Sequence, residues 1–313
     1  MSVPYALDLS ARLAAGGRLI EADRRDRHAA FIRQFAEPHG GFRGRDGGAD
    51  LYYTSFAVRA LAMCDRLLPE DLIPTAAYLR QFNPAALDAV DGMNWLATAV
   101  AVQAAGGPDV VADAADAVAD AVVDSLNRLR TSDGGFAKAV GGASGSTYHT
   151  FLAVLAHQLV GRDVPEAEAI VAFVLGRQRD DGGFVEIKPM RRSGTNPTAA
   201  ACALLRIFGA ESRVHPDDLR DFFADVRTEG GVAANTRVPF PDGLSTFTAL
   251  LTDLDWQLGL LHGPAVEGFL VEQLEFPTGG FRAAGWDDAA DVEYTFYGLG
   301  CLALSRLPDA TAA

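Results

Sequence analysis

The sequence has few cysteines, few basic residues and no long apolar run, and each shortage excludes a class of protein. Its three cysteines, Cys64, Cys202 and Cys301, show neither paired nor metal-ligand spacing, which favours free thiols in a reducing cytoplasm. It has 27 Lys+Arg against 41 Asp+Glu, a net charge of −14, which argues against nucleic acid and anionic membranes as partners. No stretch reaches the roughly 20 apolar residues of a membrane helix, and no signal-peptide pattern opens the chain. We therefore expect a cytoplasmic protein without a transmembrane segment.

A Gly-Gly pair, usually followed by phenylalanine, recurs along the chain at a nearly constant interval. The second glycines of four copies, Gly135, Gly183, Gly231 and Gly280, are 48, 48 and 49 residues apart. An earlier copy ends at Gly41, 94 residues before Gly135, which leaves room for one degenerate copy between them. A fixed period of this size indicates a repeat architecture.

Each Gly-Gly pair is followed by a threonine and then by an alanine-rich apolar run, as in residues 198–208. Such a run is long enough for a helix and too apolar for a surface helix, so we expect it to be buried. An amphipathic stretch with helical spacing, such as residues 164–179, precedes the next pair. The pattern predicts six hairpins of outer helix, Gly-Gly loop and inner helix. The threonines are Thr54, Thr98 in the degenerate copy, Thr150, Thr198, Thr246 and Thr295.

Residues 178–184, Gln-Arg-Asp-Asp-Gly-Gly-Phe, resemble the Gln/Gly/aromatic repeat of the α/α toroid family. This family includes prenyltransferase β subunits and the β-type domains of squalene and class II terpene cyclases, and the similar pattern covers about residues 28–307. The resemblance implies an all-α (α/α)6 toroid, a single domain over residues 1–313, with inner helices around a deep apolar cavity. A closed ring has no uncapped repeat ends, so we expect a monomer.

The resemblance to protein prenyltransferases does not extend to their zinc ligands. That branch binds zinc through Asp-x-Cys at one inner-helix start and His at the next, and the metal makes a thiolate of the acceptor cysteine. Here Asp291-x-Glu293 has Glu in place of Cys, and the start after it offers Tyr53 instead of His. The start before His149 offers Asn94 in place of the Asp-x-Cys pair. These departures disfavour protein prenylation.

The resemblance to class II cyclases centres on residues 291–295, Asp-Val-Glu-Tyr-Thr. The cyclases carry Asp-x-Asp-Asp-Thr at an inner-helix start, and their middle acid protonates an alkene or epoxide. Glu293 matches that middle acid, Asp291 matches the first, and Tyr294 replaces the last. A carboxyl group on an otherwise apolar helix has a raised pKa, because burial disfavours its charged form. Asp291 or the Tyr294 hydroxyl could donate a hydrogen bond to one Glu293 oxygen and so make the other oxygen a stronger acid.

Structural alternatives exist for each polar candidate. Asp291, like Asp50 and Asp242, precedes a helix and could be an N-cap, and Glu293 could be a first-turn residue favoured by the helix dipole. His149 could be a hydrogen-bonded wall residue. The acidic loop at residues 286–288 could bind magnesium or could be a solvated loop.

Aromatic residues gather at the starts of the inner helices. Because aromatic rings stabilise cations, a cyclase needs such faces, and ordinary core packing is the alternative. A basic island at residues 186–192 interrupts the acidic sequence. Its Lys188, Arg191 and Arg192 are candidates to hold an anionic head group, unless the island is a solvated loop. The candidate substrate-binding residues beside these three are Tyr53, Trp95, Tyr148, His149, Phe247, Tyr294 and Tyr297.

These patterns lead to one main hypothesis and two alternatives. The main one is a small class II-type terpene cyclase in which Glu293, with Asp291, protonates a linear polyprenyl substrate. No cofactor is required, although magnesium could help with a diphosphate substrate. The alternatives are a prenyltransferase acting on a small acceptor and a non-catalytic isoprenoid-binding protein.

Overall fold

The structure, a computed structural model, describes residues 3–307 and is almost entirely helical. Short 3-10 turns lie at Pro84–Ala86, Ala112–Ala114 and Glu211–Arg213, and α12 continues as a π-helical turn over Leu270–Leu274. In chain order the α-helices are α1 (Tyr5–Gly17), α2 (Ala22–Arg33), α3 (Leu51–Met63), α4 (Pro69–Leu79), α5 (Ala89–Ala104), α6 (Ala115–Asn127), α7 (Thr147–Leu159), α8 (Ala167–Leu175), α9 (Thr195–Ile207), α10 (Pro216–Val226), α11 (Gly243–Trp256), α12 (Gly263–Phe269) and α13 (Val292–Ser305).

The helices form two concentric layers. The inner helices are α3, α5, α7, α9, α11 and α13; each packs against the next, and α13 packs against α3, so the ring closes. The outer helices α2, α4, α6, α8, α10 and α12 alternate with them along the chain. This arrangement confirms the (α/α)6 toroid that the repeat indicated. Within residues 3–307, no helix combines the length and apolar character that crossing a bilayer requires.

The spacing between each Gly-Gly pair and its threonine has a structural cause. The threonine hydroxyl near the start of every inner helix except α5 accepts the backbone N–H of the residue that follows the pair, as Thr198 does from Phe184 at 2.8 Å. The first glycine, Gly182, has φ +84°, and a Cβ there would lie 1.9 Å from the Asp218 carbonyl oxygen of α10. Only glycine fits this position, so the loop can lie directly on the next outer helix. The other four hydrogen bonds of this kind join Phe42 to Thr54, Phe136 to Thr150, Val232 to Thr246 and Phe281 to Thr295.

Three of the six loops end in short antiparallel ribbons that lead into inner helices. The ribbons pair β1 (Phe42–Arg43) with β2 (Ala49–Asp50), β3 (Val232–Ala233) with β4 (Pro241–Asp242), and β5 (Phe281–Arg282) with β6 (Ala290–Asp291). Each second strand ends on an aspartate, which is thereby fixed at the start of α3, α11 or α13.

Helix α1, which lies outside the repeat, covers one end of the ring. A Cβ on Gly16 would lie 2.0 Å from the carbonyl oxygen of Ala303, and one on Gly17 would lie 2.1 Å from that of Met63. The Tyr5 hydroxyl donates to Asp255 at 2.7 Å. These partners belong to the C-terminal parts of α13, α3 and α11, so α1 covers the ring at the C-terminal ends of these inner helices.

The degenerate copy departs from the sequence prediction. Helix α5 begins at Ala89, where Asp88 caps it by accepting the N–H groups of Val90 and Asp91 at 2.9 Å. Residues 94–98 therefore lie inside the helix and not at its start. Trp95 is buried, and its indole N–H donates to the Leu79 carbonyl of α4 at 2.9 Å. The prediction that Trp95 lines the cavity is wrong, because its side chain packs between the two layers.

Candidate active site

Besides α5, three inner helices begin with an aspartate N-cap. The side chain of Asp50 accepts the N–H of Tyr53 at 2.7 Å, and Asp242 accepts that of Ser245 at 2.7 Å. Asp291 accepts the N–H of Tyr294 at 2.9 Å. The N-cap alternative for these residues is therefore confirmed, and each satisfies a backbone donor that the helix start leaves open.

Asp291 differs from the other caps because its second oxygen pairs with an arginine, whereas the second oxygen of Asp242 accepts the hydroxyl of Ser245 in the same helix. The Arg45 Nε, in the loop between β1 and β2, lies 3.0 Å from Asp291 Oδ2. Burial raises the pKa of Asp291, and the Tyr294 N–H and Arg45 partly offset that rise. Both oxygens are occupied by these contacts, which makes Asp291 a positioning residue for the start of α13.

Glu293 lies in the first turn of α13 and meets α3 across the closed ring. The Tyr52 hydroxyl donates to Glu293 Oε1 at 2.7 Å, so the donor is Tyr52 and not Asp291 or Tyr294. Burial raises the pKa of Glu293, while the hydrogen bond from Tyr52 lowers it and the nearby Asp291 charge raises it again. The carboxyl group is thus easier to protonate than that of an exposed glutamate, with one oxygen held by a neutral donor.

Aromatic rings from three inner helices pack beside this carboxyl group. Tyr52 and Phe56 of α3 have ring centroids 4.9 Å apart in an edge-to-face arrangement. Tyr297 of α13 lies 5.3 Å from Phe56 and 5.5 Å from Phe247 of α11. Tyr294 contacts Tyr297 edge-on at 6.2 Å. The structure therefore brings Phe247, Tyr294 and Tyr297 into one aromatic cluster with Tyr52, the residue that contacts Glu293.

Arg59 of α3 is a functional candidate that the sequence analysis missed. Its guanidinium carbon lies 4.8 Å from the centroid of Phe56 and 4.5 Å from that of Phe296. Its Nε donates to the Ser55 carbonyl at 3.2 Å. The available signal was an arginine inside the alanine-rich run 55–63, where an inner helix is otherwise apolar.

The remaining aromatic and histidine candidates lie near the rim of the ring. Tyr53 packs against Gly44, where a Cβ would lie 2.4 Å from the tyrosine ring. Tyr148 of α7 is 41% exposed. His149 Nδ1 lies 2.9 Å from the Oγ of Ser146, the N-cap of α7, and burial lowers the pKa of the imidazole. This contact favours the alternative interpretation, in which His149 is a hydrogen-bonded wall residue.

The basic island forms an exposed loop before α9. Lys188 and Arg191 are exposed, and Arg192 donates to the Thr236 hydroxyl at 2.8 Å. Arg179 shapes this loop by donating to the carbonyls of Lys188 and Met190 at 2.8 and 3.0 Å. The island therefore lies outside the ring of aromatic residues around Glu293.

The acidic loop before α13 is also held in place by hydrogen bonds. Asp287 accepts two hydrogen bonds from Arg45, at 2.9 and 2.6 Å, and these lower the pKa of its carboxyl group. Among residues 3–307, no group of three or more His, Cys, Asp or Glu side chains is arranged to hold a metal ion.

Comparison with known proteins agrees with this architecture. The model of the prenyltransferase alpha-alpha toroid domain matches residues 5–83 and 98–312. The gap between the two matches falls on the degenerate copy. No curated protein matches the chain.

Solved structures with the same fold include enzymes of different chemistry. Protein geranylgeranyltransferase-I of Candida albicans, complexed with GGPP, has a TM-score of 0.66 at 14% identity over 90% of each chain. The type II terpene cyclase MstE of Scytonema, complexed with geranylgeranyl dihydroxybenzoate, has a TM-score of 0.62 at 15% identity, covering 96% of this chain and 99% of the cyclase. An α-1,6-mannanase of Salegentibacter has a TM-score of 0.55 at 12% identity, covering 91% and 98%. At these identities the likeness shows the fold alone, whereas the family match covers most of the chain: it belongs to the prenyltransferase alpha-alpha toroid domain family.

Proposed function

We propose that this protein is an isoprenoid-processing enzyme of the class II cyclase type, which protonates an alkene of a linear polyprenyl substrate. The observation that carries the proposal is the Tyr52–Glu293 hydrogen bond of 2.7 Å beside the aromatic cluster. A carboxylic acid with a raised pKa, one oxygen held by a phenol and apolar rings alongside, is suited to proton donation onto carbon.

The reaction is balanced without a leaving group. The proton on the free Glu293 oxygen, Oε2, is transferred to one alkene carbon, which leaves a cation on the neighbouring carbon. The π electrons of the next alkene then form the ring bond, and loss of a proton to a polar wall group or water ends the sequence. The product is therefore an isomer of the substrate. The Tyr52 hydroxyl stabilises the Glu293 carboxylate left behind, because a hydrogen bond to the charged form favours it.

The aromatic cluster and the covered end of the ring would support the later steps. Carbocations accept no hydrogen bond, whereas a desolvated ring stabilises a cation by about 2 kcal/mol or more. Phe247, Tyr294 and Tyr297 lie in the aromatic cluster to which Tyr52, the donor to Glu293, belongs. Helix α1 covers the far end of the ring and would help to exclude water, which would otherwise quench the cation.

The substrate class is supported by the Scytonema cyclase of the same fold, whose structure holds geranylgeranyl dihydroxybenzoate as its substrate. A linear polyprenyl chain is therefore the first substrate to test on this protein. No redox cofactor enters the proposed reaction, and magnesium enters only where the substrate carries a diphosphate.

Turnover with and without metal tests the proposal. Purified protein is incubated with polyprenyl diphosphates and prenylated aromatic acids, in EDTA and separately in magnesium, and products are read by mass spectrometry. We expect a product isomeric with its substrate in EDTA. Its formation should fall by about 10²- to 10⁴-fold in Glu293→Gln, the range for loss of a general acid.

Two results would contradict the proposal. Release of diphosphate only with magnesium, unaffected by Glu293→Gln, would indicate prenyl transfer to an acceptor. Binding of the substrates without any turnover would indicate an isoprenoid-binding protein.

A further inference from the structure

The charge of Arg59 lies within the ring, below the candidate acid. Arg59 follows Tyr52 by seven residues on α3, which places its Cα about 10 Å further along the helix, toward the end that α1 covers. Its side chain turns back along the helix, since Nε donates to the Ser55 carbonyl. Its electrostatic neighbours are the hydroxyls of Tyr297, Tyr148 and Tyr52. These belong to α13, α7 and α3, so the guanidinium faces the interior that the inner helices share.

The guanidinium has few partners within the part of the chain that the structure describes. Its single hydrogen bond there is from Nε to the Ser55 carbonyl, and no carboxylate of residues 3–307 lies within 4.0 Å of it. Burial lowers the pKa of Arg59, but an arginine remains charged at any physiological pH. The side chain is not fully buried.

A buried charge without a counter-ion is unfavourable for stability, so its retention needs another explanation. The two terminal nitrogens of an arginine form a planar fork that matches the two oxygens of a carboxylate or phosphate. A ligand bearing such an acid group would supply the missing counter-ion.

The same charge restricts what the interior can stabilise. Phe56 and Phe296 already interact with the Arg59 cation, so these rings are less available to a carbocation. An unneutralised guanidinium would also repel positive charge that develops above it. An anion on Arg59 would remove this repulsion before the cation forms.

We propose that Arg59 binds an acid group of the substrate inside the ring, so that the substrate is a prenyl carboxylate or prenyl phosphate and not a neutral polyene or alcohol. The proposal rests on the proposed function for the identity of its ligand. The exposed residues Lys188, Arg191 and Arg192 are then not the main head-group site.

Calorimetric titration with three farnesyl compounds tests this assignment. Farnesoic acid, farnesyl monophosphate and farnesol are titrated into the full chain and into its Arg59→Gln and Arg59→Lys variants. The quantity compared is the ratio of the Kd for farnesol to the Kd for each acid within one preparation, which does not depend on the fraction of folded protein. A triple variant, Lys188→Gln with Arg191→Gln and Arg192→Gln, is the matched control.

We expect the wild-type chain to bind at least one acid about tenfold or more tightly than farnesol, as for a hydrogen-bonded charge pair. Arg59→Gln should bring this ratio to about one, while its affinity for farnesol changes less than about twofold. Arg59→Lys should keep part of the preference for acids. The triple variant should keep most of it. The two acids then distinguish a carboxylate from a phosphate. Equal binding of acids and farnesol by the wild type, or a preference lost only in the triple variant, would overturn the proposal.

The same titration separates this proposal from the cyclase mechanism. Glu293→Gln should keep the acid preference, because Arg59 is unchanged in it. An acid preference that depends on Arg59, found together with no isomeric product in the turnover assay, would leave this assignment standing and contradict the cyclisation.

Discussion

Two junctions of the ring are built from the same elements but are held together differently. At the mid-chain junction between α9 and α11, Thr195 donates its hydroxyl to the Ala233 carbonyl at 2.6 Å and its N–H to the Ala234 carbonyl at 2.9 Å. At the closing junction, where the first repeat meets the last, side-chain ion pairs replace these neutral hydrogen bonds. Arg45 binds Asp291, and Arg24 binds Glu275.

The difference follows from the covalent chain. The mid-chain junction is joined by the intervening loop and α10, so a few neutral hydrogen bonds suffice to fix its register. The closing junction joins residues about 240–250 apart in sequence, so it must be held by non-covalent contacts alone. Glu275 bonds both Arg24, at 2.5 Å, and the buried His28, at 3.1 Å, and His28 in turn accepts the Gly280 N–H at 3.0 Å. The candidate acid Glu293 lies at this same charged junction.

The largest expected effect on stability is at Glu275. Glu275→Ala leaves the buried His28 without a carboxylate and Arg24 with Glu267 as its remaining close partner, and losing one partner of a buried pair costs about 3 kcal/mol or more. Thr195→Val at the mid-chain junction removes a neutral hydrogen bond and should cost about 1 kcal/mol. Urea unfolding of both variants measures the two values. Equal losses would show that the closing junction has no special dependence on charge.

Acidification should weaken the closing junction through the same residue. Although burial raises it, hydrogen bonds from His28 and Arg24 lower the pKa of Glu275 to about 2, from an ordinary value of 4.5. A lowered folded-state pKa gives stability that is present above pH 4.5 and lost as the pH falls toward 2, about 3 kcal/mol in all. Unfolding free energies measured from pH 6 to pH 3 should converge for the wild type and Glu275→Gln. A gap between them that stays constant over this range would refute the linkage.

The smallest expected effect is at Arg45, which lies between the closing junction and the candidate acid. Its charge lowers the pKa of Glu293, so Arg45→Gln should raise that pKa and keep the acid protonated to a higher pH. The alkaline limb of kcat/KM should therefore move upward, by less than about one pH unit. Arg162→Gln is the control, since Arg162 pairs with Asp116 and Asp120 on α6, outside the ring. A downward shift, or an equal shift in the control, would contradict this role.

The fold could be predicted from the sequence because its repeat encodes local constraints. Gly182 must be glycine to lie on α10, and Thr198 must follow at a fixed distance to bind the loop, so both recur at the period. Helix α1 has no repeated signature and was missed. Trp95 was misplaced because the degenerate copy lacks the Gly-Gly pair that marks a helix start.

The candidate site was only half predictable. Glu293 could be found from its neighbours in sequence, but its partner Tyr52 lies 241 residues away and meets it only because the ring closes. Arg59 carries no motif, and its importance depends on what surrounds it. A repeat pattern along the sequence does not predict the contacts that form only when the ring closes.

Turnover in deuterium oxide tests the central claim, that Glu293 starts the reaction by donating a proton to carbon. Since the acid exchanges its proton with solvent, we expect each product molecule to gain one deuterium at the former alkene carbon and to exceed its substrate by one mass unit. The label should disappear with the activity in Glu293→Gln. Unlabelled product formed with loss of diphosphate would contradict the account, because the cation would then arise by ionisation.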